Sequence, residues 1–283
     1  MAAQTFLIVD GSSLIHRAFY AMPLLTNAKG EATNAVYGFA MMLSRFLQKQ
    51  RPDHAVVCFD VSRHTFRTEQ FEQYKGSRKE TPPELKVQFA PTRELVTAMG
   101  VAWEEQGGYE ADDIMGTLAK AAAAQGFEVM ILSGDKDVFQ LIDDHIKIYM
   151  TNRGISDIKV WDREALQERY GLTPQQFIDL KGLMGDSSDN IPGVPGIGEK
   201  TALKLLAQYP SINEIYSHLD EVKPAGVQKK LREHQDLAFL SKELATIYCN
   251  VPNLQPCCNY QYRGPGAELE AFYRRMNFMS LLR

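Results

Sequence analysis

Sulfur and imidazole are scarce in this chain, and neither is placed to do chemistry. Four of the 283 residues are cysteine, and no two are spaced as a C-x-x-C pair. The adjacent Cys257 and Cys258 make poor zinc spacing, so reduced thiols are expected rather than a metal module or a disulfide scaffold. None of the six histidines falls inside a motif; His16 stands nearest to one, and helix packing is its expected role. Long apolar runs are missing too. Nothing approaches the roughly 20 residues of a membrane span, and Phe6 to Val9 is too short and too poor in basic flanks for a secretion signal. Internal repeats, low-complexity linkers and long tails are absent. The expectation is a soluble, cytoplasmic globule, for which 45% apolar and 23% charged residues are ordinary values. A strong charge of one sign is lacking as well. The net charge of −4 argues against nucleic acid only until its distribution is considered.

What the chain has is carboxylates at the ends of apolar runs. Asp10 closes Phe6–Val9, and Asp60 closes Ala55–Phe59. Glu110, Asp112 and Asp113 open an alanine-rich helical stretch, Asp135 and Asp137 follow Val129–Gly134, and Asp186 and Asp189 share one short acidic loop. In an open parallel α/β sheet, functional groups collect beyond the carboxyl ends of the strands. If these runs are neighbouring strands, nine carboxylates converge on one crevice, where like charges force protonation or cation binding. Each acid alone reads as a turn residue or a helix-dipole partner; their recurrence favours ligands. Oxygen donors without His or Cys suit Mg²⁺ or Mn²⁺ rather than Zn²⁺. So many of them imply two or more ions, which at about 3.5–4 Å apart stabilise both the attacking and leaving oxygens of a phosphodiester displacement. With those nine set aside, 26 acidic residues face 31 basic ones, so the remaining surface is mildly basic.

Four β-branched-rich runs read as strands, over residues 5–10, 54–60, 127–133 and 145–150. Helical spacing fills 34–49, 84–98 and 110–124, and strand–helix alternation implies a parallel, doubly wound sheet with helices on both faces. From about 160 the pattern is helical throughout: 162–170, 174–184, 199–208, 226–233, 235–246 and 267–282. The chain therefore divides near 160 into an α/β half, 1–160, and a helical half, 161–283, packed as one body.

Two further segments carry a phosphate signature. Residues 174–208 read as a helix–hairpin–helix, with the turn Ile191-Pro192-Gly193-Val194-Pro195-Gly196-Ile197-Gly198 before a second helix. Gly193, Gly196 and Gly198 let backbone N–H groups approach a phosphate, and Lys200 and Lys204 share one helix face beside them. Such a site reads backbone rather than bases. Residues 63–93 hold seven basic against four acidic side chains, with Phe66, Phe71 and Tyr74 interleaved. Most of that segment reads as a solvated face. Tyr74, Lys75 and Arg78 combine a stacking ring with two cations one turn apart.

The ordered set Asp10-Gly11-Ser12-Ser13, Phe59-Asp60, Thr65-Phe66-Arg67, Tyr74-Lys75-Gly76-Ser77-Arg78, Glu110-Ala111-Asp112-Asp113, Gly134-Asp135-Lys136-Asp137 and Gly185-Asp186-Ser187-Ser188-Asp189-Asn190 resembles the bacterial 5′–3′ exonuclease and flap endonuclease family. That family includes the N-terminal nuclease domain of DNA polymerase I and free-standing relatives. The resemblance implies a PIN-like α/β nuclease core with a helical arch over about 63–93, followed by a helix-three-turn-helix that grips duplex DNA. It implies a first metal site at Asp10, Asp60, Glu110 and Asp112, and a second at Asp112, Asp135, Asp137 and Asp186, with Asp113 and Asp189 nearby as outer or third-ion ligands. Lys75 and Arg78 become arch cations at the scissile phosphate, Tyr74 a stacking residue and Arg67 a DNA contact. A K⁺ held by backbone carbonyls near Ser187 to Ile197 is implied as well. The expected activity is Mg²⁺-dependent hydrolysis of DNA at 5′ flaps, nicks and junctions in replication and repair, by a monomer, with RNA primers as a further substrate. The competing readings are a catalytically silent junction-binding module, a PIN-type ribonuclease and, more distantly, a small-molecule phosphatase. The chain ends where such a nuclease domain ends, leaving a stand-alone enzyme and a polymerase fragment both open.

Overall fold

A strand covered on both faces must be apolar at successive positions, and Phe6–Val9 and Ala55–Val57 meet that demand. In the computed structural model, which describes residues 3–152 and 157–282, they lie in β1 (Thr5–Asp10) and β2 (His54–Cys58). The other strands are β3 (Ala102–Glu104), β4 (Glu128–Ser133), β5 (Ile146–Thr151) and β6 (Ile158–Trp161), giving one sheet of order β3-β2-β1-β4-β5-β6. Strands β1 to β5 are mutually parallel, and β6 adds an antiparallel edge. The chain steps outward one way through β2 and β3 and the other way through β4 and β5. The topological switch therefore lies between β1 and β4, at the carboxyl ends that carry Asp10 and Asp135.

Thirteen α-helices follow the strands among the described residues: α1 (Gly11–Ala21), α2 (Asn34–Gln50), α3 (Phe66–Gln70), α4 (Pro83–Lys86), α5 (Phe89–Ala98), α6 (Ala111–Ala124), α7 (Arg163–Tyr170), α8 (Pro174–Met184), α9 (Glu199–Gln208), α10 (Ile212–Ser217), α11 (Ala225–Glu233), α12 (Gln235–Ala245) and α13 (Leu269–Arg275). Alternation along β1 sorts them onto two faces. Leu7 and Val9 pack with α1, α2, α5 and α13 in one core, while Phe6 and Ile8 pack with α6 in the other. The second core runs on without a break through Phe139 and Phe177 to Leu180, Leu205 and Ile212, so the helical half shares the sheet's own interior. No helix among the described residues is long and apolar enough to cross a membrane.

The structure departs from the sequence pattern in four places. First, Asp10-Gly11, a turn signal, is the start of α1, with Asp10 as its N-cap. A Cβ on Gly11 would lie 2.4 Å from the Phe59 ring, so the glycine serves close helix–strand approach. Second, β3 and β6 are short strands that the pattern does not announce, β6 lying in part beyond residue 160. Third, the helix expected over 267–282 stops at Arg275. Fourth, the expected arch shrinks. Residues 83–93 belong to the body, where Leu85, Gln88 and Thr92 are fully buried, and only about 71–82 stays irregular and largely exposed between α3 and α4.

Gln88 explains why that second limb is fixed. Thr33 supplies no side-chain cap for α2, and Gln88 Oε1 fills the gap, accepting from Ala35 N at 2.7 Å and Val36 N at 3.2 Å. Its Nε2 donates to Asn34 Oδ1 and Glu84 O, so every bond the amide can make is used. Gln88→Leu should cost about 2–3 kcal/mol of unfolding free energy in a urea titration, because buried N–H groups are orphaned. A cost below 0.5 kcal/mol would show that the cap is dispensable.

Candidate metal centre and nucleic-acid interface

The carboxylates are aimed by the elements they terminate. Asp10 accepts from Ser13 N at 2.8 Å as the α1 cap, and from Ser133 Oγ at 2.6 Å across the switch point. Asp60 follows β2 and accepts from Ala111 N at 2.8 Å, tying it to the start of α6. Glu110 is the N-cap of α6, and Asp112 lies in its first turn. Asp135 caps the 3₁₀ turn Lys136–Leu141, accepting from Asp137 N at 3.0 Å. Asp10, Asp60, Glu110, Asp112 and Asp135 line one cavity of about 310 Å³, together with Ser12, Ser13, His16, Lys75 and Arg78. A second cavity of about 580 Å³ adjoins it under residues 61–82, and Lys75 and Arg78 belong to both walls.

The charges in this crevice are badly solvated. Burial and the neighbouring Asp60 and Asp135 push Asp10 up to about 7, against the pull of Ser133 and Ser13. Burial, with Asp10 and Asp135, also holds Asp112 well above the usual carboxylate range. Asp137 is raised to about 7 by burial and Asp135 in spite of Lys181. Among the described residues no three of these groups form a ready-made cage. Their all-oxygen chemistry and shortage of positive charge nevertheless fit a hard divalent cation. Mg²⁺ in particular keeps several waters and takes one or two carboxylates at a time.

The remaining acids are held apart from that cavity. Lys181 Nζ bridges Asp137 Oδ1, at 2.7 Å, and Asp186. Burial would raise Asp186, but Lys181 and Ser188 pull it down to about 2. Lys181 had no motif to mark it and is the chief residue that pattern reading missed. Asp113, expected as an outer metal ligand, is saturated. Its two oxygens face Arg67 at 2.8 and 2.7 Å and also accept from Glu110 N and Tyr248 N. Arg67, expected as a DNA contact, correspondingly lies in the interior. It is 2% exposed and gives its other hydrogen bonds to Leu244 O, Thr246 O and, at 3.5 Å, Glu110 Oε2. A guanidinium with every donor engaged in the interior has none to offer a phosphate.

The arch residues close over the site differently from expectation. Tyr74 is 5% exposed, and its hydroxyl donates to Glu110 Oε2 at 3.1 Å, so its ring is turned into the interior. Lys75 occupies left-handed backbone (φ 54°), donates its amide to Asp189 O at 2.8 Å and places Nζ 2.7 Å from Glu110 Oε1. Arg78 pairs with Asp189. Asp189 is thus claimed by arch side chains rather than left free for an ion.

In the hairpin, Gly193 (φ 61°) presses against α8, where a Cβ would lie 2.2 Å from Gly185 N. Its N–H donates to the buried Ser241 Oγ at 2.8 Å, so Gly193 shapes the turn and has no amide left for a phosphate. Gly196 and Gly198 are exposed, Gly198 starts α9 without a side-chain cap, and Lys200 and Lys204 lie exposed beyond it. Lys230, unmarked by any motif, reaches from α11 to donate to Gly196 O at 3.0 Å.

The raised Asp10 has a measurable consequence. The folded state holds its proton up to about pH 7, whereas the unfolded chain releases it near 3.8. Without a cation, ionised Asp10 therefore costs stability progressively as pH rises across that window, and fully above it. In EDTA, Asp10→Asn should stabilise the protein by on the order of 2 kcal/mol at pH 8 and by almost nothing at pH 4. Equal effects at both pH values would refute the assignment.

Comparison with known proteins agrees with this geometry. The profile of the 5′-3′ exonuclease N-terminal resolvase-like domain matches residues 5–171, and that of the 5′-3′ exonuclease C-terminal SAM fold matches 172–268. DNA polymerase I of Bacillus caldotenax is 49% identical over 97% of the chain, and that of Bacillus subtilis 50% over 97%. The chain spans about a third of the length of these curated relatives, 32% and 31% respectively. Among solved structures, the T5 D15 protein co-crystallised with metal ions superposes with a TM-score of 0.73 at 20% identity, over 98% of this chain and all of that one. The catalytic core of Rad2 in complex with a DNA substrate gives 0.64 at 17%, over 97% and 88%. At such identities these two show a shared fold. By its sequence relatives and by both family profiles, the chain belongs to the 5′-3′ exonuclease family.

Proposed function

We propose that this chain hydrolyses phosphodiester bonds of DNA near single-strand/double-strand junctions, as a Mg²⁺- or Mn²⁺-dependent 5′ nuclease acting on flaps, nicks and ends. One observation carries the reading. Five carboxylates from four chain segments line a single cavity at the sheet's switch point, and arch cations stand on the wall it shares with the adjoining cavity. Asp10, Asp60, Glu110 and Asp112 would hold the first ion, and Asp112, Asp135, Asp137 and Asp186 the second. Bound divalent ions supply a water of lowered pKa and counter-charge for the phosphate. The chain's own residues do the rest. Gly196, Gly198, the α9 N-terminus, Lys200 and Lys204 hold the duplex backbone without reading bases. The 580 Å³ cavity under residues 61–82 receives the unpaired 5′ strand. Lys75 and Arg78 exchange Glu110 and Asp189 for the scissile phosphate, where they stabilise developing charge. Attack by water yields a 5′-phosphate and a 3′-hydroxyl.

The proposal extends to a K⁺ among the backbone carbonyls between residues 187 and 197. The Lys230 ammonium on Gly196 O is a monovalent cation already attracted to that turn. It also extends to RNA primers on DNA as substrates, to a cytoplasmic monomer and to roles in replication and repair.

The test is cleavage of a 5′-labelled flap with Mg²⁺, with Ca²⁺ or in EDTA, using the wild type and Asp135→Asn. Cutting at the junction should require Mg²⁺ and fall by about 10³-fold or more in the variant, with flap affinity held within about threefold. Undiminished turnover by Asp135→Asn, or full activity in EDTA, would sink the proposal.

A further inference from the structure

Lys181 raises a question the motifs do not answer. A lysine in the last turn of a helix complements the dipole there, and α8 needs no more than that. The ammonium, however, turns away from the helix end to bridge Asp137, from the turn after β4, and Asp186, from the loop after α8. All three side chains are only 13–14% exposed. Remove the ammonium, and two poorly solvated carboxylates from separate elements are left facing each other. Its contacts are with oxygens that a divalent ion at the second position would need. The first position differs: among the described residues Lys75 takes Glu110, and no ammonium pairs with Asp10, Asp60, Asp112 or Asp135.

We propose that Lys181 is a built-in counter-ion occupying the second cation position, which a divalent ion enters only by displacing the ammonium from between Asp137 and Asp186. The inference rests on the two-ion reading above. Ammonium and divalent ion are mutually exclusive, because they claim the same oxygens and repel each other. The four-methylene stem lets the ammonium swing out to solvent without movement of α8. A site that is competent only when its resident cation leaves binds with an affinity reduced by the competent fraction. The two positions therefore fill in order, the first tightly and the second weakly. The metal-free fold, meanwhile, avoids the repulsion that two open carboxylates would impose.

The experiment is Mn²⁺ titration of the metal-free full chain, followed by electron paramagnetic resonance of free Mn²⁺ and by calorimetry, in wild type, Lys181→Met and Lys181→Met/Asp137→Asn. Methionine keeps the length and the helix while removing the charge. Lys181→Met should bind the weaker ion about tenfold more tightly than wild type and leave the stronger one unchanged. In EDTA it should melt below wild type, and it should gain more from Mn²⁺ than wild type does. The double variant should recover the EDTA melting temperature and lose the weaker site. A weaker ion bound equally or less well by a folded Lys181→Met would overturn the inference while leaving the two-ion reading intact. One ion or none in both wild type and Lys181→Met would overturn the two-ion reading itself.

Discussion

Carboxylates crowded where water reaches poorly must be neutralised, and most of what is particular to this molecule is a means of doing so. At the switch point of the sheet, burial raises both Asp10 and Asp112, with Asp60 and Asp135 adding to the first and Asp10 and Asp135 to the second. Around that nucleus the chain supplies its own cations, each matched to one or two acids: Lys75 to Glu110, Arg78 to Asp189, Lys181 to Asp137 and Asp186, Arg67 to Asp113. The pairing is graded by burial. Arg67 is bidentate, buried and locked to two carbonyls, so its partner is a permanent part of the frame. Lys75 and Arg78 stand on cavity walls, and Lys181 lies largely buried between its two acids without any carbonyl to lock it.

That grading separates two acids that look alike in sequence. Asp112 and Asp113 are neighbours in the first turn of α6, so their side chains leave the helix about 100° apart. One points into the crevice. The other turns back to close the capping box with Glu110 N and to receive Arg67 from α3 and Tyr248 N from the segment after α12. Asp113 thus fixes the start of the helix that delivers Glu110 and Asp112.

The same geometry explains what could be read in advance. The parallel sheet, the long helices and the acids at strand ends follow from local patterns of apolar and charged residues, and α2, α6, α8 and α9 lie within a residue of where periodicity puts them. Three kinds of feature escaped. Short edge strands such as β3 have too few residues for a pattern. Asp10-Gly11 carries the signals of both a turn and a helix start, and only the Ser13 amide decides between them. The cations escaped for a third reason, since a lysine has no periodicity and its partner is chosen by tertiary structure. Tyr74 is read toward DNA from its spacing to Lys75 and Arg78, and Arg67 from the family resemblance, whereas Glu110 and Asp113 draw the two into the interior.

The loop from Asp186 to Ile191 gathers these strands of argument into one piece of backbone. Asp186 and Ile191 exchange amide hydrogen bonds at 2.9 and 2.8 Å, and this closes the loop tightly. Its first residue, Asp186, shares the Lys181 ammonium with Asp137. Its fourth, Asp189, receives Tyr74 and Arg78, while its carbonyl takes the Lys75 amide; its fifth, Asn190, donates to Gln73 O at 2.7 Å. Pro192 and Gly193 then lead directly into the hairpin, with Gly193 wedged on Gly185. The spacing between Lys181 with its two acids, the segment 71–82 and the glycine turn is therefore set by six residues held in a closed loop, not by packing of distant domains. A carboxylate at position 189 is explained on this view without an ion. It is the anchor that holds Tyr74, Lys75 and Arg78 at the crevice.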